Sequence, residues 1–232
     1  MPVKAVLFDL DNTLIDFLKM KHLCCSEAVN AMISAGLPLP KKKAMRILFE
    51  MYEKFGMEYQ PIFQEFLKKT MGRIDYGILA SGIVAYRRIR ASILEPYPGV
   101  ESMLLRLKMD GFHLGIVTDA PRMKAWMRLA AMDLIRYFDF VLTKDDARGQ
   151  LKPHKLPFRK ALRKLKLPPE EILFVGDSLK RDIAGANSMG MHSCLARYGE
   201  KKRHKGSARP EFSIRSPLEI FKVIEKLNGK VK

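Results

Sequence analysis

The apolar positions of this chain change period twice. Residues 5–8, Ala-Val-Leu-Phe, form a short unbroken apolar run, the pattern of a strand buried on both faces. From there to about residue 95 the spacing turns helical. Ala44, Ile47, Leu48, Met51, Tyr52 and Phe55 recur on one helical face before Gly56. Similar stretches cover 18–35, 62–71 and 76–94, ended by Gly36, Gly72 and Pro96, so four helices are predicted. After Pro98-Gly99 strands and helices alternate. Helices are predicted at 100–109, 123–132, 155–165, 183–189 and 218–227, and strands at 114–118, 140–143, 172–175, 193–196 and 212–214.

Such alternation implies an α/β fold with a doubly wound, mainly parallel, Rossmann-like sheet, to which the 5–8 strand also belongs. The expected organisation is a core of residues 1–16 and 97–232 with an inserted four-helix unit at 17–96. The insertion follows the first strand directly, so it is expected to act as a cap or lid over whatever that strand end carries.

That strand end carries Asp9 and Asp11, in the run Asp9-Leu10-Asp11-Asn12-Thr13. Side chains two apart share a strand face, and the carboxyl edge of an open α/β sheet is where ligands bind. Two like charges there need a cation, a proton or a lysine to offset their repulsion. The alternative is structural, because Asp11, Asn12 and Thr13 are all good helix N-caps. Three later strand ends supply polar residues of the required kind. Thr118-Asp119 closes 114–118, and its hydroxyl and backbone N–H groups suit a phosphate oxygen, although both residues are also helix caps. Lys152 precedes Pro153, which favours an extended lysine. Gly176-Asp177-Ser178 follows 172–175, with Asp182 five residues beyond Asp177. This set is a candidate magnesium site, with capping again the alternative for Asp182.

In order and context these four pieces closely resemble the haloacid dehalogenase-like hydrolases, and the likeness spans the whole chain. The resemblance implies that Asp9 is the nucleophile and forms an aspartyl-phosphate, and that Asp11 protonates the leaving oxygen and then activates water. It implies Mg²⁺ on the Asp9 carboxylate, the Asp11 main-chain carbonyl and Asp177. Lys152 and Thr118 would hold the phosphate, with Asp119 contributing a backbone contact. Ser178 and Asp182 would stand behind these groups, Asp182 orienting Lys152 or a metal-bound water. The insertion resembles the family's C1-type helical cap. His154-Lys155 stands where many relatives have an acid and a second proline, and Ala120-Pro121 follows Asp119 where relatives often show glycine. Dehalogenases of the same family lack the second aspartate because a halide leaves without a proton. Asp11 therefore points to a Mg²⁺-dependent phosphomonoesterase acting on a small phosphorylated metabolite. A phosphomutase, a 2-haloacid dehalogenase and a non-catalytic nucleic-acid-binding protein are the alternatives.

Bulk properties narrow the field. The 232 residues are enough to bury a large core, and 47% are hydrophobic. No apolar stretch is long enough to cross a bilayer and the first residues lead straight into a strand, so a cytoplasmic, soluble protein is expected. Three cysteines, two of them adjacent, and five scattered histidines offer neither a disulfide framework nor a zinc site. The net charge of +17 suggests acidic partners, yet the surplus is spread. Lys201 to Lys205 is its one dense cluster and reads as a solvated loop. General attraction of anionic substrates is therefore favoured over dedicated nucleic-acid binding. Scarce Asn (4) and Gln (3) beside 29% charged residues lean toward a thermophilic source.

Overall fold

A computed structural model describes residues 1–199 and 206–229. The Lys201–Lys205 cluster lies outside them. The chain divides into two compact units, Met1–Asp16 with Glu95–Lys232, and Phe17–Leu94.

The first unit is built on β1 (Ala5–Phe8), whose four side chains are fully buried. The chain returns to it through α5 (Val100–Met109), β2 (His113–Val117), α6 (Arg122–Ala131), β3 (Phe140–Leu142), α7 (Lys155–Leu165), β4 (Ile172–Gly176), α8 (Ala184–Ser188), β5 (His192–Ala196), β6 (Phe212–Ile214) and α9 (Ile220–Leu227). The strands pair in the order β3-β2-β1-β4-β5-β6, every neighbour parallel. The α/β class read from the alternating pattern is the class found. On one face Ala5, Leu7 and Phe174 pack with Phe158 and Ala161 of α7 and Ala186 of α8. Burial of these strand positions beneath the helices is why they read as uninterrupted apolar runs.

Register brings the strand ends to one edge. Phe8 pairs with Ile116 on one side and with Val175 on the other, so the residues following β1, β2 and β4 leave the sheet together. The chain after β1 turns at once: Asn12 adopts a left-handed conformation (φ 62°), its N–H donates to the Ile15 carbonyl at 2.7 Å, and Leu14 N–H donates to Leu10 O. Asparagine tolerates that conformation better than most residues. The Lys152–Pro153 peptide is cis.

Local structure departs from expectation after β4. The helix predicted at 183–189 is found as α8, but a π-turn at Leu179–Ile183 that is not predicted precedes it. The cause is Asp182, whose side chain reaches back to accept from the Ser178 N–H at 3.0 Å. Ser178 O accepts from the Asp182 N–H at 2.9 Å and also from the Ile183 N–H at 3.1 Å, the second being the five-residue bond that makes the turn a π-turn. An acid bound this way widens the helical turn around itself.

The second unit holds the four helices α1 (Phe17–Ser34), α2 (Lys41–Phe55), α3 (Ile62–Met71) and α4 (Tyr76–Ser92) in their predicted order. Met32, Leu48, Phe66 and Leu67 lie at its centre, fully buried. Asp75 caps α4 by accepting from the N–H groups of Gly77 and Ile78, and Gly72 ends α3 in a left-handed turn. Among the described residues no helix is long and apolar enough to cross a membrane.

Candidate active site

Asp9 is the first residue past β1, and its N–H still donates to Val175 O of β4 at 2.9 Å. Its carboxylate is buried. Lys152, also buried, reaches it from the loop before α7: Nζ lies 2.6 Å from Asp9 Oδ1 and 2.6 Å from Asp182 Oδ1, and donates to Val117 O at 2.9 Å. Hydrogen bonds to Asp9 and Val117 O and an ion pair with Asp182 hold this buried ammonium in place, so it is a fixed charge and not a flexible arm.

Asp9, Asp177 and Asp182 form one buried group whose candidate ligand oxygens all lie within 4.8 Å of one another. Close approach of β4 makes this possible. A Cβ at Gly176 would lie 2.4 Å from the Asp182 Cβ, so only glycine leaves room for that carboxylate beneath the strand end. Desolvation raises the Asp9 carboxyl to about 7, against the pull of Lys152 and with a further push from Asp182. Asp177 is raised well above the carboxylate range, first by burial and then by Asp182 and Asp9. Burial opposes charge on Lys152, but Asp182 and Asp9 outweigh it and hold the ammonium protonated. Two carboxyls driven up by burial and mutual repulsion are a site that a divalent cation stabilises.

The donor set fits magnesium, a hard ion that takes oxygen ligands. The oxygens of Asp182 are already engaged, Oδ1 with Lys152 and Oδ2 with the Ser178 N–H. That leaves Asp9 and Asp177 as the carboxylates of the group that could hold such an ion.

The other residues singled out in the sequence fall around this group with distinct partners. Thr118 follows β2, is buried, and its hydroxyl accepts from the Ala120 N–H at 3.2 Å. Asp119 is expected to offer a backbone contact to phosphate. Its side chain ties loops together, accepting from the Lys152 N–H at 2.9 Å and lying 3.5 Å from Arg181 Nη1. Ser178 Oγ accepts from the Arg181 N–H, and His154 caps α7 by accepting from Leu156 N–H. Asp11 stands apart from the three-acid group: its carboxylate is held by Arg128 Nη1 at 2.7 and 3.0 Å.

Two arginines were not anticipated. Arg181 lies over the acidic group, with Nη2 at 3.8 Å from Asp177 Oδ1. Nothing in its sequence setting, Leu179-Lys180-Arg181-Asp182, distinguishes it from a solvated residue. Arg128 left a trace, because it sits between Ala125 and Leu129 on the inward stripe of α6, where an apolar residue is expected. If all are ionised, three carboxylates face the two cations Lys152 and Arg181, leaving one net negative charge. Adding a divalent ion reverses the sign, which suits an incoming phosphate dianion.

Known proteins share this framework. The chain is 32% identical over 225 residues, 97% of its length and 98% of the relative's, to a glyceraldehyde 3-phosphate phosphatase of Methanocaldococcus jannaschii. It is 28% identical over 239 residues to pyrophosphatase PpaX of Bacillus mycoides, with 99% and 100% covered. Among solved structures, a HAD phosphatase from Thermococcus onnurineus superposes with a TM-score of 0.68 at 26% identity, covering 96% and 98%. The fold is also that of the HAD-hydrolase YfnB from Bacillus subtilis, solved bound to magnesium, with a TM-score of 0.72 at 24% identity and 97% and 99% covered. The family model for haloacid dehalogenase-like hydrolases matches residues 6–196, and the chain belongs to that family.

Proposed function

We propose that this protein is a Mg²⁺-dependent phosphomonoester hydrolase that works through an aspartyl-phosphate on Asp9. The observation that carries the reading is the buried Lys152 ammonium at 2.6 Å from both Asp9 and Asp182, inside a three-carboxylate group. A carboxylate nucleophile attacks without first losing a proton, so it needs positioning and a counter-charge more than a base. Lys152 supplies both.

In the first step an Asp9 oxygen forms a bond to phosphorus as the ester P–O bond breaks, and its electron pair leaves with the alcohol oxygen, which takes a proton from Asp11. In the second, Asp11 removes a proton from water as the water oxygen attacks phosphorus, the Asp9 O–P bond breaks, and phosphate and the free carboxylate return. Lys152 keeps Asp9 in place throughout and, with the Thr118 hydroxyl and nearby N–H groups, binds the non-bridging oxygens. Bound Mg²⁺ would be held by Asp9, Asp177 and the Asp11 main-chain carbonyl, and would neutralise charge that builds on the phosphoryl oxygens. The acid at position 11 favours phosphate esters over a halide, which departs without a proton.

The substrate class is a small phosphorylated metabolite. Full-length likeness to phosphatases named for glyceraldehyde 3-phosphate supports it. The helical unit at 17–94 is inserted directly after the Asp9–Asp11 strand end, and that connection supports a role as a cap that selects the substrate. The chain is soluble and cytoplasmic in this reading.

The test is hydrolysis of p-nitrophenyl phosphate and of a panel of phosphorylated metabolites, with Mg²⁺ and with EDTA. Turnover that requires Mg²⁺ and disappears in Asp9→Asn is expected. Turnover surviving both EDTA and Asp9→Asn would reject the mechanism, and metal-free halide release from a 2-haloacid would replace it with dehalogenation.

A further inference from the structure

We propose that Arg128 is a positioning residue that aims the Asp11 carboxylate at the leaving oxygen, an inference that rests on the hydrolase reading above. Arg128 is 2% exposed, on the inward stripe of α6 beside Ala125 and Leu129. A guanidinium buried there costs several kcal/mol unless it is paired, whereas an apolar side chain would pack at no such cost. What it meets is Asp11: Nη1 lies 2.7 Å from Oδ2 and 3.0 Å from Oδ1. One nitrogen that touches both oxygens fixes the carboxylate's rotation as well as its place.

The backbone beneath is fixed too. Asp11 forms an isolated bridge with Ile15, and the N–H of Tyr97 donates to the Leu14 carbonyl at 2.9 Å, so the loop carrying the acid is pinned on both sides. The side chain's torsions are then the freedom that remains, and Arg128 removes it. Asp11 is 22% exposed while its partner is almost fully buried, so the carboxylate sits at the rim of the site with its anchor behind it. This is the arrangement of an aimed group. An acid or base contributes about 10²–10⁴ in rate only when it lies within hydrogen-bond reach of the proton it transfers.

The consequence is selective. A p-nitrophenolate leaves without a proton, while an alkyl alkoxide needs one, and kcat/KM reports the steps up to departure of the alcohol. Loss of aim should therefore lower kcat/KM for an alkyl phosphate more than for an aryl phosphate. The experiment compares glycerol phosphate with p-nitrophenyl phosphate, at saturating Mg²⁺, for wild type, Arg128→Met, Arg128→Lys, Asp11→Asn and Asp11→Asn/Arg128→Met, with a thermal melt of each. We expect Arg128→Met to lower the alkyl-to-aryl ratio by about tenfold or more, Arg128→Lys to restore part of it, and the double variant to show the ratio of Asp11→Asn alone. Equal loss on both esters, or a further fall of the ratio in the double variant, would show that Arg128 only supports the fold. If Arg128→Met does not fold, Arg128→Lys decides: a selective fall supports the proposal and an equal fall overturns it. A wild-type protein that turns over neither ester would overturn the hydrolase reading and this inference together. A wild type active on both, with no selective effect at residue 128, would overturn this inference alone.

Discussion

The Lys152 ammonium lies 2.6 Å from Oδ1 of Asp9, and both side chains are buried. Removing the cation leaves the nucleophile without a counter-charge in a site that already holds Asp177 and Asp182. Lys152→Met is expected to lower kcat with p-nitrophenyl phosphate by about 10² or more. In EDTA it should also destabilise the protein by about 3–5 kcal/mol, because buried carboxylates become uncompensated. Activity assays and chemical denaturation measure both, and a stable, active Lys152→Met would refute the assigned role.

Gly176 and Asp182 make a second close pair. Gly176→Ala places a methyl 2.4 Å from the Asp182 Cβ, so the acid must move, and Lys152 loses one of its two carboxylates. The expected outcome is a loss of about 1–3 kcal/mol in stability together with a fall in kcat. Gly111→Ala has open space around its Cβ but a left-handed backbone (φ 83°), and should lose stability while retaining Mg²⁺-dependent kcat. Denaturation curves and turnover of the two variants separate backbone strain from displacement of Asp182.

Divalent cation should stabilise the fold by binding the native state alone. With Mg²⁺ at about a hundred times its Kd the gain is about 2.7 kcal/mol, visible as a rise in Tm over the EDTA sample. Asp177→Asn should abolish most of that rise, since it removes a carboxylate from the three-acid group. An unchanged Mg²⁺-dependent shift in Asp177→Asn would move the site elsewhere.

Asp139 predicts a pH dependence away from the active site. Burial alone would raise its carboxyl, but hydrogen bonds from Lys108 and from the Leu114 N–H, with His113 alongside, hold it below the ordinary range. A carboxyl with a lowered folded-state pKa adds stability above its unfolded value near 4, and loses it as pH falls through the folded value. Asp139 is a third exposed, so screening keeps the effect to about 0.5–1 kcal/mol. Asp139→Asn should thus be less stable than wild type at pH 7, and the difference should vanish as pH falls below the folded value, as measured by urea denaturation.

The parts of the fold most legible in sequence were those set by period alone. The run at 5–8 and the helical spacing of 44–55 each map onto a single element, and the alternation after residue 98 maps onto the succession from α5 to α9, because burial on one or both faces fixes the pattern. The π-turn at Leu179–Ile183 was not legible, since it depends on a side-chain hydrogen bond from Ser178 N–H to Asp182 that no spacing encodes. Within the site, Asp9 and Asp177 could be brought together because strand ends of a parallel sheet share one edge, whereas Lys152 and Asp182 joined them only through the resemblance to a known family. Arg128 could not, because its helix brings it to Asp11 from 117 residues away in the chain, and Arg181 could not, because the π-turn that turns it toward Asp177 four residues back has no spacing signal. Arg128 alone left a clue, as a charge on the apolar stripe of α6.

The central claim is that Asp9 carries the phosphoryl group. It is tested most directly by rapid acid quench of Asp11→Asn during turnover of p-nitrophenyl phosphate with Mg²⁺, followed by peptide mass spectrometry. Asp11→Asn slows attack by water, so the peptide containing Asp9 should gain the mass of one phosphoryl group, and the gain should vanish in Asp9→Asn. Release of p-nitrophenol by the Asp11→Asn protein with Asp9 left unmodified at every quench time, or turnover that persists when Asp9 is replaced by Asn, would contradict the account.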